Sequence, residues 1–177
     1  MKKKTLALVL ALTLLVAGVV GSTLAWLTDQ TAEVKNTFTV GDINIGLTET
    51  TTDYKMVPGN TIAKDPTVTV KANSEACWLF VKVTESTDLK DFITYAIAEG
   101  WTALPGVDGV YYREVPASAA DQTFSVLAGD AVTVKSDVTR AMLETAKTDA
   151  PTLTFKAYAI QKDHFATADA AWAEVSK

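Results

Sequence analysis

The chain has 177 residues with 16 basic and 21 acidic side chains, giving a net charge of −5 at pH 7. That acidity argues against nucleic acid as a partner and against electrostatic docking on anionic lipid. Cys77 is the only cysteine, which excludes an intrachain disulfide and leaves packing, or neighbouring subunits, to hold the domain.

Residues 2 to 4 are Lys-Lys-Lys, and the next 24, from 5 to 28, carry no charge. A short basic start, an apolar run from Leu6 to Val20 and then small residues is the layout of a secretory signal. Thr23-Leu24-Ala25 places a small residue at the last position, so cleavage is expected between Ala25 and Trp26. The remaining chain would have 152 residues, with 13 basic and 21 acidic side chains and a net charge of −8. The uncharged run is also long enough to span a bilayer. Left uncut, it would be an anchor with the lysines inside and the domain outside. Gly18, Gly21, Ser22 and Thr23 favour cleavage.

Trp26 to Lys35 is polar and irregular, and reads as an N-terminal arm. From Asn36 the pattern alternates. Phe38 and Val40 share one parity and Ile43, Ile45 and Leu47 the other, so a bulge at Gly41-Asp42 would keep all five on one face. Two short strands with a turn at Gly41 give the same pattern. Val57-Pro58-Gly59-Asn60 is a turn, and Asp65-Pro66 is a second break. Thr67 to Lys71 alternates as a strand, and Ala72-Asn73-Ser74-Glu75 reads as a hairpin connection. Ala76 to Thr84 is the most apolar strand. Leu79, Val81 and Val83 fall on one side and Trp78 and Phe80 on the other, which calls for cover on both faces.

Asp88 to Ala98 reads as a turn of helix followed by a strand. Gly100 to Leu104 and Val110 to Val115 form a hairpin around Pro105–Gly109. Gln122 to Leu127 and Ala131 to Lys135 are strands joined at Gly129-Asp130, and Val138 to Lys147 is a modest helix stopped by Pro151. Leu153 to Ile160 is a further strand. Ala168, Ala171, Trp172 and Val175 repeat with helical spacing behind Thr167 as N-cap. Short strands at regular spacing, with turn residues between them, predict a mainly β domain. The expected class is a single jelly-roll or β-sandwich over residues 36–177, with short helices and a C-terminal amphipathic helix. The 23 threonines after residue 25 agree with strands, because β-branched residues favour a pleated surface.

No catalytic set emerges. A zinc protease needs two histidines one helical turn apart and a glutamate base, and His164 is the only histidine. It reads as an exposed turn residue before the last helix. A Cys77–His164 pair is the other enzymatic option, but Cys77 opens an apolar strand, where a structural thiol or an intermolecular bridge are the readings. Asp29, Glu49, Asp53, Asp65 and Asp108 are scattered through loops without calcium-loop spacing. No catalytic, cofactor or metal residues are therefore assigned. The four tryptophans read as core, with Trp101 the least certain.

Thr23-Leu24-Ala25-Trp26-Leu27-Thr28-Asp29, then Asn36-Thr37-Phe38-Thr39-Val40-Gly41-Asp42-Ile43 and Leu47-Thr48-Glu49, resembles the start of TasA/camelysin-type proteins of Gram-positive bacteria. The Val57-Pro58-Gly59 turn with Thr67-Val68-Thr69-Val70, and the Ala157-Tyr158-Ala159-Ile160-Gln161 ending, are similar as well. The resemblance implies export through a dedicated signal peptidase of the endoplasmic-reticulum type and a jelly-roll domain in the extracellular matrix or at the cell surface. It also implies assembly into biofilm fibres, in which the segment freed by cleavage enters the next subunit as a strand. Here that segment is 26–35, with Trp26, Leu27 and Val34 as contact residues. The other readings are a monomeric extracellular binding or adhesion module using loops such as Pro105–Gly109, with matrix protein or polysaccharide as partner, and a camelysin-like metalloprotease.

Overall fold

The structure is a computed structural model that describes residues 42–51 and 54–177. The expected signal segment 1–25, the expected arm 26–35, and Phe38, Val40 and Gly41 of the first expected strand lie outside the described residues. The described chain is mainly β. In order, its strands are β1 (Ile45–Thr48), β2 (Thr61–Ala63), β3 (Thr67–Val70), β4 (Cys77–Glu85), β5 (Ile93–Thr94), β6 (Thr102–Ala103), β7 (Val110–Val115), β8 (Gln122–Ser125), β9 (Ala131–Val134) and β10 (Leu153–Gln161). Three short helices, α1 (Leu89–Phe92), α2 (Arg140–Ala146) and α3 (Ala168–Val175), interrupt or follow them. The strands form three antiparallel sheets, in the orders β1-β3-β8, β10-β4-β7-β6 and β2-β9-β5.

β4 is apolar on both faces, and both are covered. Leu79, Val81 and Val83 pack with Val68 and Val70 of β3, and with Phe155, Ala157 and Ala159 of β10. On the opposite face Trp78 and Phe80 pack with Val110 and Tyr112 of β7 and with Ala171 and Trp172 of α3. The register explains the sorting, because Phe80 lies opposite both Tyr158 and Tyr112 while Val81 lies opposite Ala157 and Tyr111. Period-two alternation thus sends matching side chains of all three strands to the same face. The expected C-terminal helix is α3. Its N-cap is Thr167, whose hydroxyl accepts from the Ala170 N–H, and Trp172 stacks edge-on against Tyr158 at 5.1 Å. A third cluster joins Phe92, Ile93, Leu127, Val132, Val134 and Val138 beneath the β2-β9-β5 sheet.

The helical turn followed by a strand at 88–98, the 100–115 hairpin, the 138–147 helix and the long strand before Gln161 all occur near their expected positions. Val57–Asn60 closes as expected: the Asn60 N–H donates to the Val57 carbonyl at 3.0 Å, with Gly59 at φ 80. Two expectations need correction. Ala72–Glu75 is not a hairpin, because β3 and β4 belong to different sheets. The Ser74 N–H closes a turn on the Lys71 carbonyl, but the Asn73 N–H donates to the Ser118 carbonyl and the Glu75 N–H to the Asp42 carbonyl, so the chain crosses between sheets there. Leu47 is exposed instead of sharing a buried face with Ile43 and Ile45, since it sits near the end of the short β1. Strand β2, too short to alternate visibly, had no counterpart in the sequence reading.

Two hairpin glycines separate conformational need from close approach. Gly106 and Gly109 have φ of +72° and +70°, but a Cβ on Gly109 would lie 2.4 Å from the Val83 carbonyl oxygen, whereas one on Gly106 meets nothing within 4 Å. Gly106→Ala should cost about 1 kcal/mol, the left-handed penalty alone. Gly109→Ala should cost at least about 2 kcal/mol more, because the β4–β7 ladder must shift. Urea unfolding of the two variants checks this, and equal losses would show that the close approach carries no energy.

Candidate functional site

The edges of the sheets differ in how they are finished. β6, at one edge of the large sheet, has two residues and runs into Pro105, and β1, β2, β5 and β8 have four or fewer. β10, at the other edge, has nine residues and pairs only with β4 among the described residues. Its single charged residue is Lys156, and it contains no proline or bulge. Edges are normally blunted by shortness, charge, proline or bulges. Among the described residues, β10 therefore presents a long row of backbone donors and acceptors with no second strand paired to it.

The two lateral margins of the paired sheets also differ. At the β7–β8 margin, the Arg113 guanidinium lies 3.9 Å from the Phe124 ring centroid and 5.3 Å from that of Trp101. The Trp101 indole N–H donates to the Ser125 carbonyl at 2.9 Å, and burial lowers the Arg113 pKa from its usual value. Arg113 and Trp101 thus close that side by stacking. At the other margin β1 lies beside β10 without joining its ladder.

The chain leaving β1 is pinned there by a largely buried ion pair. Lys64 is 6 % exposed, and its Nζ donates to Glu49 Oε1 at 2.7 Å. The Tyr54 hydroxyl donates to the same oxygen at 2.7 Å, and its burial, with the Glu49 carboxylate beside it, pushes the phenol pKa up. The ammonium also lies 4.6 Å from the Tyr54 ring centroid and 5.3 Å from that of Phe155 on β10. One residue on, Asp65 Oδ1 accepts from the Thr50 N–H at 2.9 Å and its other oxygen from the Thr50 hydroxyl. These bonds to Thr50 hold the Asp65 carboxyl below its usual range. A cleft of about 500 Å³ opens beside this knot, lined by Tyr54, Met56, Ile62, Lys64, Pro151 and Leu153 among others. The β10 edge, unpaired among the described residues, thus begins next to a cleft lined largely by apolar side chains.

Of the residues singled out from sequence, Ala25, Trp26, Leu27, Val34, Asp29 and Asp53 lie outside the described residues. Glu49 and Asp65, expected as scattered acids, are brought to one corner by Lys64 and Thr50. Asp108 stays apart and exposed, as does His164 in the 3-10 turn Lys162–His164. Cys77 is fully buried, and that burial pushes its thiol up to about 11, so it is a thiol and not a thiolate at neutral pH. Among the described residues no three His, Cys, Asp or Glu side chains converge to hold a metal ion, and no helix is long and apolar enough to cross a membrane. Lys64 and Tyr54 escaped the sequence reading. The available signal for Lys64 was parity: Ile62 of β2 and Lys64, the residue just after it, share the inward side.

Comparison of the chain with protein-family models, with characterised proteins and with solved structures gives no match.

The buried pair predicts an asymmetry. Lys64→Ala strands Glu49 and Tyr54 and should cost about 3–5 kcal/mol, whereas Lys64→Met combined with Glu49→Gln should recover most of that loss. Thermal and urea unfolding of the two variants decide it. A double variant no more stable than Lys64→Ala would show that the charge pair is not the source of the cost.

Proposed function

We propose that this chain is a secreted, non-catalytic structural protein of the TasA/camelysin type. In this reading its domain is a β-sandwich of the jelly-roll kind that assembles into extracellular matrix fibres by strand exchange. Export follows from the basic, apolar and small-residue order of residues 2–25, with a signal peptidase cutting between Ala25 and Trp26. Self-association is then the main partnership. The observation that carries the reading is the outer edge of β10: nine residues long, nearly uncharged, and unpaired among the described residues.

A strand of nine residues spans about 30 Å, and an extended arm of ten residues reaches about 33 Å, so segment 26–35 matches the edge in length. Main-chain hydrogen bonds to β10 supply affinity, and side chains of one parity enter pockets and supply register. The cleft at Leu153, where β10 begins, is apolar enough to take Trp26 or Leu27, and Val34 would lie further along the edge. The face of β10 that carries Phe155, Ala157 and Ala159 is partly buried and already packed against the core of β3 and β4. The added strand therefore extends a finished sheet and does not complete an unfinished core. This is why the arm is expected to serve assembly and not folding.

The test is direct. Residues 26–177 should form filaments visible by electron microscopy. A chain starting at Asn36 should keep its melting temperature within a few degrees and remain monomeric. Unfolding on truncation would make the arm an integral strand of its own sheet, and normal filaments from the shortened chain would move assembly to another surface.

A further inference from the structure

The outer face of the large sheet holds two lysines side by side. Lys156 of β10 lies directly opposite Lys82 of β4, and both are exposed. Like charges at facing positions of neighbouring strands repel and destabilise a sheet. Neither lysine forms an ion pair among the described residues, whereas Lys64, Lys71, Lys147, Lys162 and Lys177 do. Their neighbours on this face are uncharged: Thr84 and Thr154 on one side, Val110 across from Lys82, and Tyr158, whose ring centroid lies 4.9 Å from the Lys156 ammonium. Asp108 borders the same cleft as Lys82 without pairing with it. An acidic chain of net charge −5 thus keeps two facing lysines without a carboxylate on either.

Lys156 is on the edge strand, so a strand added to β10 runs beside it. Such a strand lies about 4.8 Å away and puts every second side chain on the lysine face. Under the strand-exchange reading above, on which this inference rests, that strand is segment 26–35 of a second copy. Its residues sort by parity. Asp29 and Glu33, its only acids, share one face, and Trp26, Thr28, Gln30, Ala32 and Val34 share the other, which carries no charge. Residues 26–34 and β10 are both nine long. Setting Trp26 beside Leu153, at the cleft, and Val34 beside Gln161 makes the two strands parallel. Asp29 then falls beside Lys156, because each lies three residues along its strand, and Glu33 falls beside Ile160. The uncharged face of the segment turns to the side of β10 that carries Phe155, Ala157 and Ala159.

We infer that Lys156, backed by Lys82, selects the incoming strand of a second copy and sets its register by pairing with Asp29. A lysine on an edge strand repels stray partners. Here a strand with a neutral or basic residue beside Lys156 leaves the lysine repulsion in place, and a strand with an acid there relieves it, so the same side chain rejects and admits. A slip of two residues puts Leu27 or Thr31 beside Lys156, with no carboxylate to meet it. A slip of one residue turns Asp29 and Glu33 to the packed face.

The probe is a fluorescently labelled peptide of residues 26–35, titrated by anisotropy into residues 26–177 at concentrations where no filaments form. The parent peptide should bind. An Asp29→Lys peptide should bind at least about fivefold more weakly, and a Glu33→Lys peptide should lose less than that. Against Lys156→Glu protein the order should reverse, with the Asp29→Lys peptide the tighter binder. Raising the salt to about 1 M should shrink both preferences. Lys156→Glu should keep or raise the melting temperature, since an opposite charge then faces Lys82, so weaker binding of the parent peptide is not a loss of fold. The inference is overturned by absence of peptide binding, by equal binding of the parent and Asp29→Lys peptides, by a preference that does not reverse, or by a larger loss from Glu33→Lys. Filaments of the parent chain are read separately. Filaments without the reversal sink this inference and spare the strand-exchange reading, and the reversal without filaments does the opposite.

Discussion

From Cys77 to Val81 strand β4 has no wet face, and most of the molecule follows from that. Leu79 and Phe80 are adjacent in sequence, point in opposite directions and are both fully buried. A strand with this property must lie inside a sheet that is itself covered on both sides. β10 and β7 supply the flanking ladders, β3 with its neighbours supplies one cover, and α3 supplies the other. Each cover uses a different chemistry. The β3 side has a valine-rich centre, Val68, Val70, Val81, Val83, Val115 and Val126, with Trp101, Phe124 and Phe155 around it, whereas on the α3 side the aromatic rings of Phe80, Tyr112, Tyr158 and Trp172 meet one another at 5–6.5 Å. The Trp78 indole N–H reaches the Phe165 carbonyl at 3.0 Å and ties the chain before α3 down as well.

Once β4 is sandwiched in this way, the strands beside it become edges, and the edges set the opportunities for function. The β7 side is finished by the short β6 and by Arg113 stacked over Phe124 and Trp101. The β10 side has no equivalent among the described residues. There the organising feature is the Lys64–Glu49 pair, which holds the end of β1 near Phe155 of β10 without hydrogen-bonding the two strands together. A buried ion pair is an expensive way to hold a corner. Its effect here is to fix the position of the cleft at the start of β10, which is where an incoming strand would need a rigid seat under the proposed mode of assembly.

Local pattern was legible in the sequence wherever one element met a uniform environment. The two-sided apolar run of β4 and the Ala168, Ala171, Trp172, Val175 stripe each identified its element and its buried faces, and the strand at Leu153 to Ile160 was identified as an element. Sheet membership was not legible, because it depends on which amides the turns release. Asn73 donates to Ser118, far along the chain, so a sequence that looks like a hairpin becomes a crossover. The sites were least legible of all. Lys64 finds Glu49 fifteen residues back, and Lys156 meets Lys82 only through the β10–β4 register. None of these spacings matches a motif, and only the paired sheets bring the residues together.

The proposed role of β10 as the receiving edge is tested most directly by amide hydrogen exchange along residues 153–161, compared between the monomer and the assembled state. β10 amides that point away from β4 should exchange readily in the monomer and become strongly protected on assembly, with the matching amides of segment 26–35 protected in parallel. Unchanged exchange along β10, together with new protection at β6, β8 or another edge, would contradict the account.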